Sequence, residues 1–313
     1  MGIGFFLIYY SYSRFTSEQL DEIGRYFKQA DYTFVVLAVF ISLLSHISRA
    51  YRWNYMLEPL GYKPKFLNNF MAVYVAYIMN IFIPKSGEIS RAVVINKYEK
   101  VPFDNALGTI ISERAIDVFF LLFYTAIALM IHFDVLYNYM IALIDPSKFY
   151  FGIFGLIVIM IIFFLFLKFS NSGLRKKIKQ FYLGLKDGVL SVLHMKRTRA
   201  YLAHSLLIWG LYLLSFMISM MALEETSNIN FGVILITFVV GSFSFAFTNS
   251  GFGSYPFFVA GILAVFAIPE TVGTAFGWIV WTSNIASIIL IGGLSFIFLP
   301  FYNNAIDKDS KKS

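Results

Sequence analysis

Residues 201–223 read YLAHSLLIWGLYLLSFMISMMAL and residues 149–167 read FYFGIFGLIVIMIIFFLFL, two blocks without an acid, a lysine or an arginine. Each runs about 20 residues, enough for a helix to cross a hydrocarbon core of about 30 Å. A soluble helical core would need polar faces at helical spacing, and these blocks have none. The rest of the chain agrees: 58% of its 313 residues are hydrophobic and only 14% are charged, against about 25% in soluble domains. The expected fold class is all-α, a polytopic transmembrane helical bundle. The chain has no Cys, which excludes a disulfide framework and thiolate metal sites.

Further spanning candidates are Tyr32–His46, extended toward Trp53, then Asn105–Ile131 and Thr271–Leu299. Phe66–Ile83 and Phe231–Phe266, the latter broken around Asn249–Pro256, are ambiguous by length alone. Loop charges resolve them. Nine bases lie between Lys168 and Arg199 against the single acid Asp187, which assigns this stretch to the cytoplasmic side. Counting outward, the loops with Asp134 and Asp145, with Glu224 and Glu225, and with Glu18, Asp21, Glu22 and Asp31 fall outside. Arg49, Arg52, Lys63 and Lys65 fall inside, as does the tail with Lys308, Lys311 and Lys312.

Parity then forbids a single crossing by Phe66–Ile83. Segment 66–100 is expected to enter from the cytoplasm, turn near Pro84–Gly87 and return. Segment 230–268 is expected to enter from the outer side and turn near Asn249–Gly253. Two opposed re-entrant hairpins read as an inverted-repeat plan, which is frequent in transporters. The expected organisation is one transmembrane domain over 1–313: a first half 1–168, a basic amphipathic cytoplasmic segment 169–200, a second half 201–300 and a charged tail 301–313. The opening MGIGFFLIYYSYSR is too short to span and reads as the tail of a first helix that starts upstream. The net charge of +7 sits mostly in short loops beside apolar blocks, which suits anionic phospholipid headgroups and not nucleic acid.

The strongest local signal is Ser112-Glu113-Arg114-Ala115-Ile116-Asp117, whose charges lie about 12–18 Å into the helix beginning near Asn105. Intramembrane ionisable groups usually mark a pathway or a binding site. Spacings of three and four gather Glu113, Arg114 and Asp117 near one face. Two acids against one base need a further partner, and Arg91 is the candidate. The blander alternative is a structural ion pair that locks two helices together. The second signal runs from Asn80 to Arg91. Pro84 stops the incoming helix, Gly87 permits a turn, and a helix starting near Ser86 would aim its positive end into the membrane. With Glu88 and Arg91 nearby this is a candidate anion site, the alternative being an interfacial loop with snorkelling Lys and Arg. The outer turn, with Asn249, Ser250, Gly251 and Gly253, carries no charge and reads as the weaker half. Both turns contain Ser-Gly-x-x-Ser. His46, His194 and His204 fall near predicted cytoplasmic helix ends and His132 near an outer one, where interfacial solvation accounts for them. No catalytic constellation, metal-ligand spacing or cofactor motif is found.

At these motifs the sequence resembles the lysylphosphatidylglycerol synthase transmembrane-region family of flippase-like membrane proteins. The residues that carry the resemblance are Arg49, Arg52-Trp53, Asn80, Pro84, Gly87-Glu88, Arg91, Glu113-Arg114 and Asp117, and it covers roughly 30–300. It implies a multi-pass bundle with re-entrant helices. In the multiple peptide resistance factors, this domain is implicated in moving aminoacylated phosphatidylglycerol between leaflets. The chain given ends at Ser313 without the soluble aminoacyl-transferring domain, so synthase activity is not carried over. The outer turn has Tyr255-Pro256 in place of the family's Pro-Gly-rich element followed by Glu. The expectation is a flippase-like transporter of a phospholipid or other lipid-linked anionic substrate, multi-pass in the plasma membrane, with anionic phospholipids and further copies of the chain as candidate partners. The rivals are a membrane-embedded transferase acting on a lipid-linked sugar or aminoacyl lipid, and a non-catalytic scaffold.

Overall fold

In hydrocarbon each backbone N–H and C=O must find an internal partner, which favours helices. The computed structural model describes residues 2–143, 158, 195 and 197–310, and its regular elements are all helical. In chain order they are α1 (Gly2–Ser13), α2 (Ser17–Gln29), α3 (Tyr32–Leu57), α4 (Phe66–Phe82), α5 (Gly87–Glu99), α6 (Phe103–Leu143), α7 (Thr198–Met220), α8 (Glu224–Ser227), α9 (Phe231–Phe247), α10 (Ser254–Val265) and α11 (Glu270–Ser310). A 3-10 turn, Glu58–Leu60, extends α3.

Four stretches are long and apolar enough to cross a membrane: Tyr32–Leu60, Phe103–Val135, Thr198–Met220 and Glu270–Asn304. They match four of the five spans read from the sequence. The fifth, Phe149–Leu167, lies outside the described residues apart from Val158, as does segment 169–200 apart from Met195 and 197–200. Large apolar side chains stand exposed along these helices, among them Phe40, Phe119, Leu206 and Leu290. So much exposed apolar surface suits lipid rather than water.

The two ambiguous stretches each fold as a helix, a turn and a helix. α4 and α9 have 17 residues each and α10 has 12. At 1.5 Å per residue they are about 25 and 18 Å long, short of a 30 Å core. The breaks, at 83–86 and 248–253, overlap the turns expected near Pro84–Gly87 and Asn249–Gly253. Each tip holds a non-glycine residue in the left-handed region, Lys85 at φ 61° and Ser250 at φ 53°. The tips are otherwise built differently. Ser86-Gly87 open α5, whereas Ser250-Gly251 sit within the turn and Ser254 opens α10, so the shared Ser-Gly-x-x-Ser is out of structural register. At Gly87 α5 lies so close to α4 that a side chain would run into Asn80 and the Ala76 carbonyl. The Gly87 N–H instead donates to Asn80 Oδ1 at 2.8 Å.

α3 packs along α7, and α10 packs along α11. The second contact runs through Gly273 and Gly277, one turn apart, where a Cβ on Gly277 would stand 2.6 Å from Pro256 Cα. Small residues at this spacing allow close helix approach in membranes. α2 is amphipathic, capped by a reciprocal Thr16–Gln19 box, and turns Ile23 inward where it lies against α11. α1 lies on α10, with Gly4 backbone against Phe252 and Gly253. α6 bends at His132, whose φ of −122° and ψ of 28° leave the helical region.

Candidate functional site

Spacings of three and four put Arg49 and Arg52 on one face of α3, and Glu113 and Asp117 on one face of α6. The two faces meet. Arg49 Nη1 donates to Glu113 Oε1 at 2.5 Å and to Asp117 Oδ2 at 2.7 Å. Arg52 Nη2 donates to Asp117 Oδ1 at 2.9 Å and lies 3.2 Å from Glu113 Oε1. Arg91, on α5, completes the set with Nη2 3.1 Å from Glu113 Oε2. Its guanidinium stands 3.8 Å from the centre of the Trp53 ring, while Trp53 Nε1 donates to Thr109 at 2.9 Å. Arg52, Arg91 and Glu113 are at most 1% exposed. Burying any one of these charges alone would cost several kcal/mol, so the cluster holds only as a set.

Arg114 differs. Its side chain is 38% exposed, with Nε 3.2 Å from Glu88 Oε1 and Nη1 3.5 Å from Asp117 Oδ2. It faces a cavity of about 960 Å³ whose charged wall is Arg49, Lys85, Glu88, Arg114 and Asp117. The remaining wall is mainly aromatic and aliphatic, with Trp209, Phe216, Phe238, Tyr255, Val280 and Ile288. The two hairpin tips meet at its edge. Lys85 Nζ donates to the Ala246 carbonyl at 2.7 Å, Asn249 Nδ2 to the Ile81 carbonyl at 3.0 Å and Ser250 Oγ to the Asn80 carbonyl at 3.4 Å. Four guanidinium groups meet three carboxylates in this region, and Lys85 adds another cation. The cavity therefore pairs a cationic surplus with an apolar lining, and its size suits a headgroup or a drug-sized ligand.

The model of the lysylphosphatidylglycerol synthase transmembrane region matches residues 1–292. The chain belongs to this family. A UPF0104 membrane protein of Methanocaldococcus jannaschii is 25% identical over 94% of this chain and 92% of its own length. A second UPF0104 membrane protein, from Methanothermobacter thermautotrophicus, is 26% identical over 36% of this chain and 35% of its own. No solved structure matches the chain. The residues on which the family resemblance was read include Arg49, Arg52, Trp53, Arg91, Glu113 and Asp117, the members of the buried network.

Of the site residues expected from sequence, Asn80, Pro84, Glu88, Arg114, Asp117, Asn249 and Ser250 line the cavity. Arg91 and Glu113 lie behind its wall, inside the network. Gly87 serves the α4–α5 contact, and Gly251 and Gly253 shape the α9–α10 tip at φ 73° and 69°. Arg49 and Arg52, counted with the cytoplasmic charges, are buried helix residues and not loop residues. Both lie within α3, withdrawn into the bundle, where each guanidinium reaches both Glu113 and Asp117. Their spacing of three inside an apolar helix was the available signal. Placing His46 at an interfacial helix end is corrected as well. α3 continues to Leu57, which carries His46 into the cavity wall. His204 bonds Ser48 at 2.8 Å, His132 packs on Phe266 with ring centres 4.9 Å apart, and His194 lies outside the described residues. Lys85, inside the Asn80–Arg91 signal, lines the cavity too, as do Trp209 and Tyr212, which had no distinguishing sequence pattern.

Proposed function

We propose that this chain is a flippase-like transporter that carries a phospholipid or another lipid-linked anionic substrate between leaflets. The observation that supports this most is Arg114, a half-exposed intramembrane arginine backed by a fixed cationic network and facing a largely apolar cavity. The substrate phosphate meets Arg114 and Lys85, and the first turn of α5 adds the positive end of a helix dipole. Acyl chains fit the aromatic and aliphatic wall. Arg52, Arg91 and Glu113 lie behind the wall and do not touch substrate in this reading; with Arg49 they fix Asp117, which in turn pairs with Arg114. The hairpins α4–α5 and α9–α10 act as opposed re-entrant elements, entering from the inner and outer sides of the plasma membrane. The basic segment 168–199 and the tail lie on the cytoplasmic side, against anionic phospholipid.

Reconstitution tests the reading. Liposomes holding the protein and fluorescent phosphatidylglycerol are treated with a membrane-impermeant reductant. Quenching beyond the outer-leaflet fraction, reduced in Arg114→Ala, is the expected result. Quenching confined to the outer leaflet in several anionic lipids would remove the transport reading.

A further inference from the structure

A second ionisable group shares this cavity with the charge network. His46 lines it, and its ring is enclosed by Tyr74 and Tyr77 of α4 and Tyr212 of α7, with ring centres 5.4, 4.9 and 5.8 Å away. The hydroxyls of Tyr77 and Tyr212 lie 3.3 and 3.5 Å from Nδ1, and Ser42 Oγ lies 3.5 Å from Nε2. A hydroxyl can donate or accept. Both ring nitrogens therefore keep partners in either neutral tautomer and in the imidazolium, after rotation of O–H bonds alone.

The charged surroundings decide which group can take a proton. On its own helix His46 has Arg49 one turn away, and Arg49 Nη2 donates to Tyr212 Oη at 3.4 Å, which connects the ring to the network. α4 and α7 present tyrosines to it and no formal charge among the described residues. Across the cavity stand Arg114 and Asp117 of α6, Glu88 of α5 and Lys85 of the inner tip. Each of these carboxylates is already bound: Asp117 to Arg49, Arg52 and Arg114, and Glu88 to Arg114. Protonating either would break an ion pair. Histidine is the side chain whose ordinary charge change falls near neutral pH. Among the described lining residues, His46 is the imidazole, and its gain of a proton breaks no ion pair of the network.

Arg49 opposes a second positive charge on this ring, and an anion in the cavity offsets that opposition. We propose that His46 is a proton-binding site linked to the anion, so that a proton and an anionic lipid headgroup are taken up together. This rests on the transport reading above and makes it a proton-coupled one. Linkage is reciprocal: the anion favours the proton as much as the proton favours the anion. Across the range in which the group titrates, lipid affinity falls by up to about tenfold per unit rise in pH.

Calorimetric titration of the detergent-solubilised chain with short-chain phosphatidylglycerol, in two buffers of different ionisation enthalpy near neutral pH, counts the protons. The expected result is uptake of up to about one proton per lipid bound, falling to near zero in His46→Gln at lipid concentrations that saturate the variant. Binding without proton uptake, or uptake retained in the variant, overturns the coupling and leaves the transport reading standing. Failure of every anionic lipid to bind overturns both. Should the variant not fold, the unaltered protein decides in liposomes. An imposed pH gradient accelerates phosphatidylglycerol movement if the coupling is right, and equal rates with and without the gradient overturn it.

Discussion

Asn249 Nδ2 donates to the Ile81 carbonyl at 3.0 Å, so two hairpin tips 168 residues apart in the chain touch. Lys85 and Ala246 make a second bond across the same junction, and Trp281 Nε1 braces the α9–α10 tip through the Ser250 carbonyl at 2.8 Å. The cavity lies against this junction.

Because the chain has no Cys, engineered thiols report without background. Ile81→Cys combined with Asn249→Cys is expected to give an intramolecular product with a short thiol-to-thiol reagent, in membranes and in detergent. Each single variant is expected to give none. Absence of the product in the double variant would mean that the tips do not meet.

Gly277 leaves no space for a side chain against Pro256. Gly277→Val is expected to push α10 away from α11 at a cost of about 1–3 kcal/mol, the usual range for overpacking. Thermal unfolding in detergent reads the loss. Gly210, whose Cβ position is open, serves as the control, and Gly210→Ala is expected to be neutral or slightly stabilising.

Asp31 caps α3, its carboxylate accepting from the Thr33 N–H at 2.9 Å. Hydrogen bonds from the Thr33 side chain and backbone hold its carboxyl below the usual range. A depressed carboxyl stabilises the fold above its unfolded value, near 3.9, and loses that contribution as pH falls through the folded value. Asp31→Asn keeps the acceptor and removes the titration. The unfolding temperature of the original protein is therefore expected to fall more steeply below about pH 4 than that of the variant. Parallel acid limbs would mean that the carboxylate contributes nothing to folding.

The helices, their order and the two breaks were legible because hydropathy and loop charge are local quantities that a bilayer sorts strongly. Pro84 and Gly87, and the Asn249–Gly253 run, put the expected turns within a residue or so of the observed breaks at 83–86 and 248–253. The acids of the network were legible too, since Glu113 and Asp117 have no place in an apolar helix without a purpose. Their main partners were not. Arg49 and Arg52 lie within reach of a basic loop in sequence, and only the depth of α3 in the bundle separates them from it. His46 was misplaced for the same reason, since a helix end read from hydropathy alone stops where the first polar residues appear. The cavity's aromatic wall, Trp209 and Tyr212 among it, arises from the packing of α6, α7 and α9, which no single segment encodes.

Arg52 and Arg114 carry the same group into the same network, and the consequences of losing each are expected to differ. Arg52 is fully buried between Glu113 and Asp117. Arg52→Ala leaves carboxylates short of a partner away from water, at a cost of about 3–5 kcal/mol. A large drop in unfolding temperature and poor recovery from the membrane are expected. Arg114 is 38% exposed, and its pairs with Glu88 and Asp117 are worth about 0–1 kcal/mol in a wetted cavity. Arg114→Ala is therefore expected to unfold near the original temperature. Loss of a charge-assisted hydrogen bond to phosphate, about 1.5–3 kcal/mol, corresponds to anionic lipid binding weakened roughly 10- to 100-fold. Measuring unfolding temperature and lipid affinity on both variants separates the two roles. Equal destabilisation by both would place Arg114 in the structural network and remove it from the substrate wall.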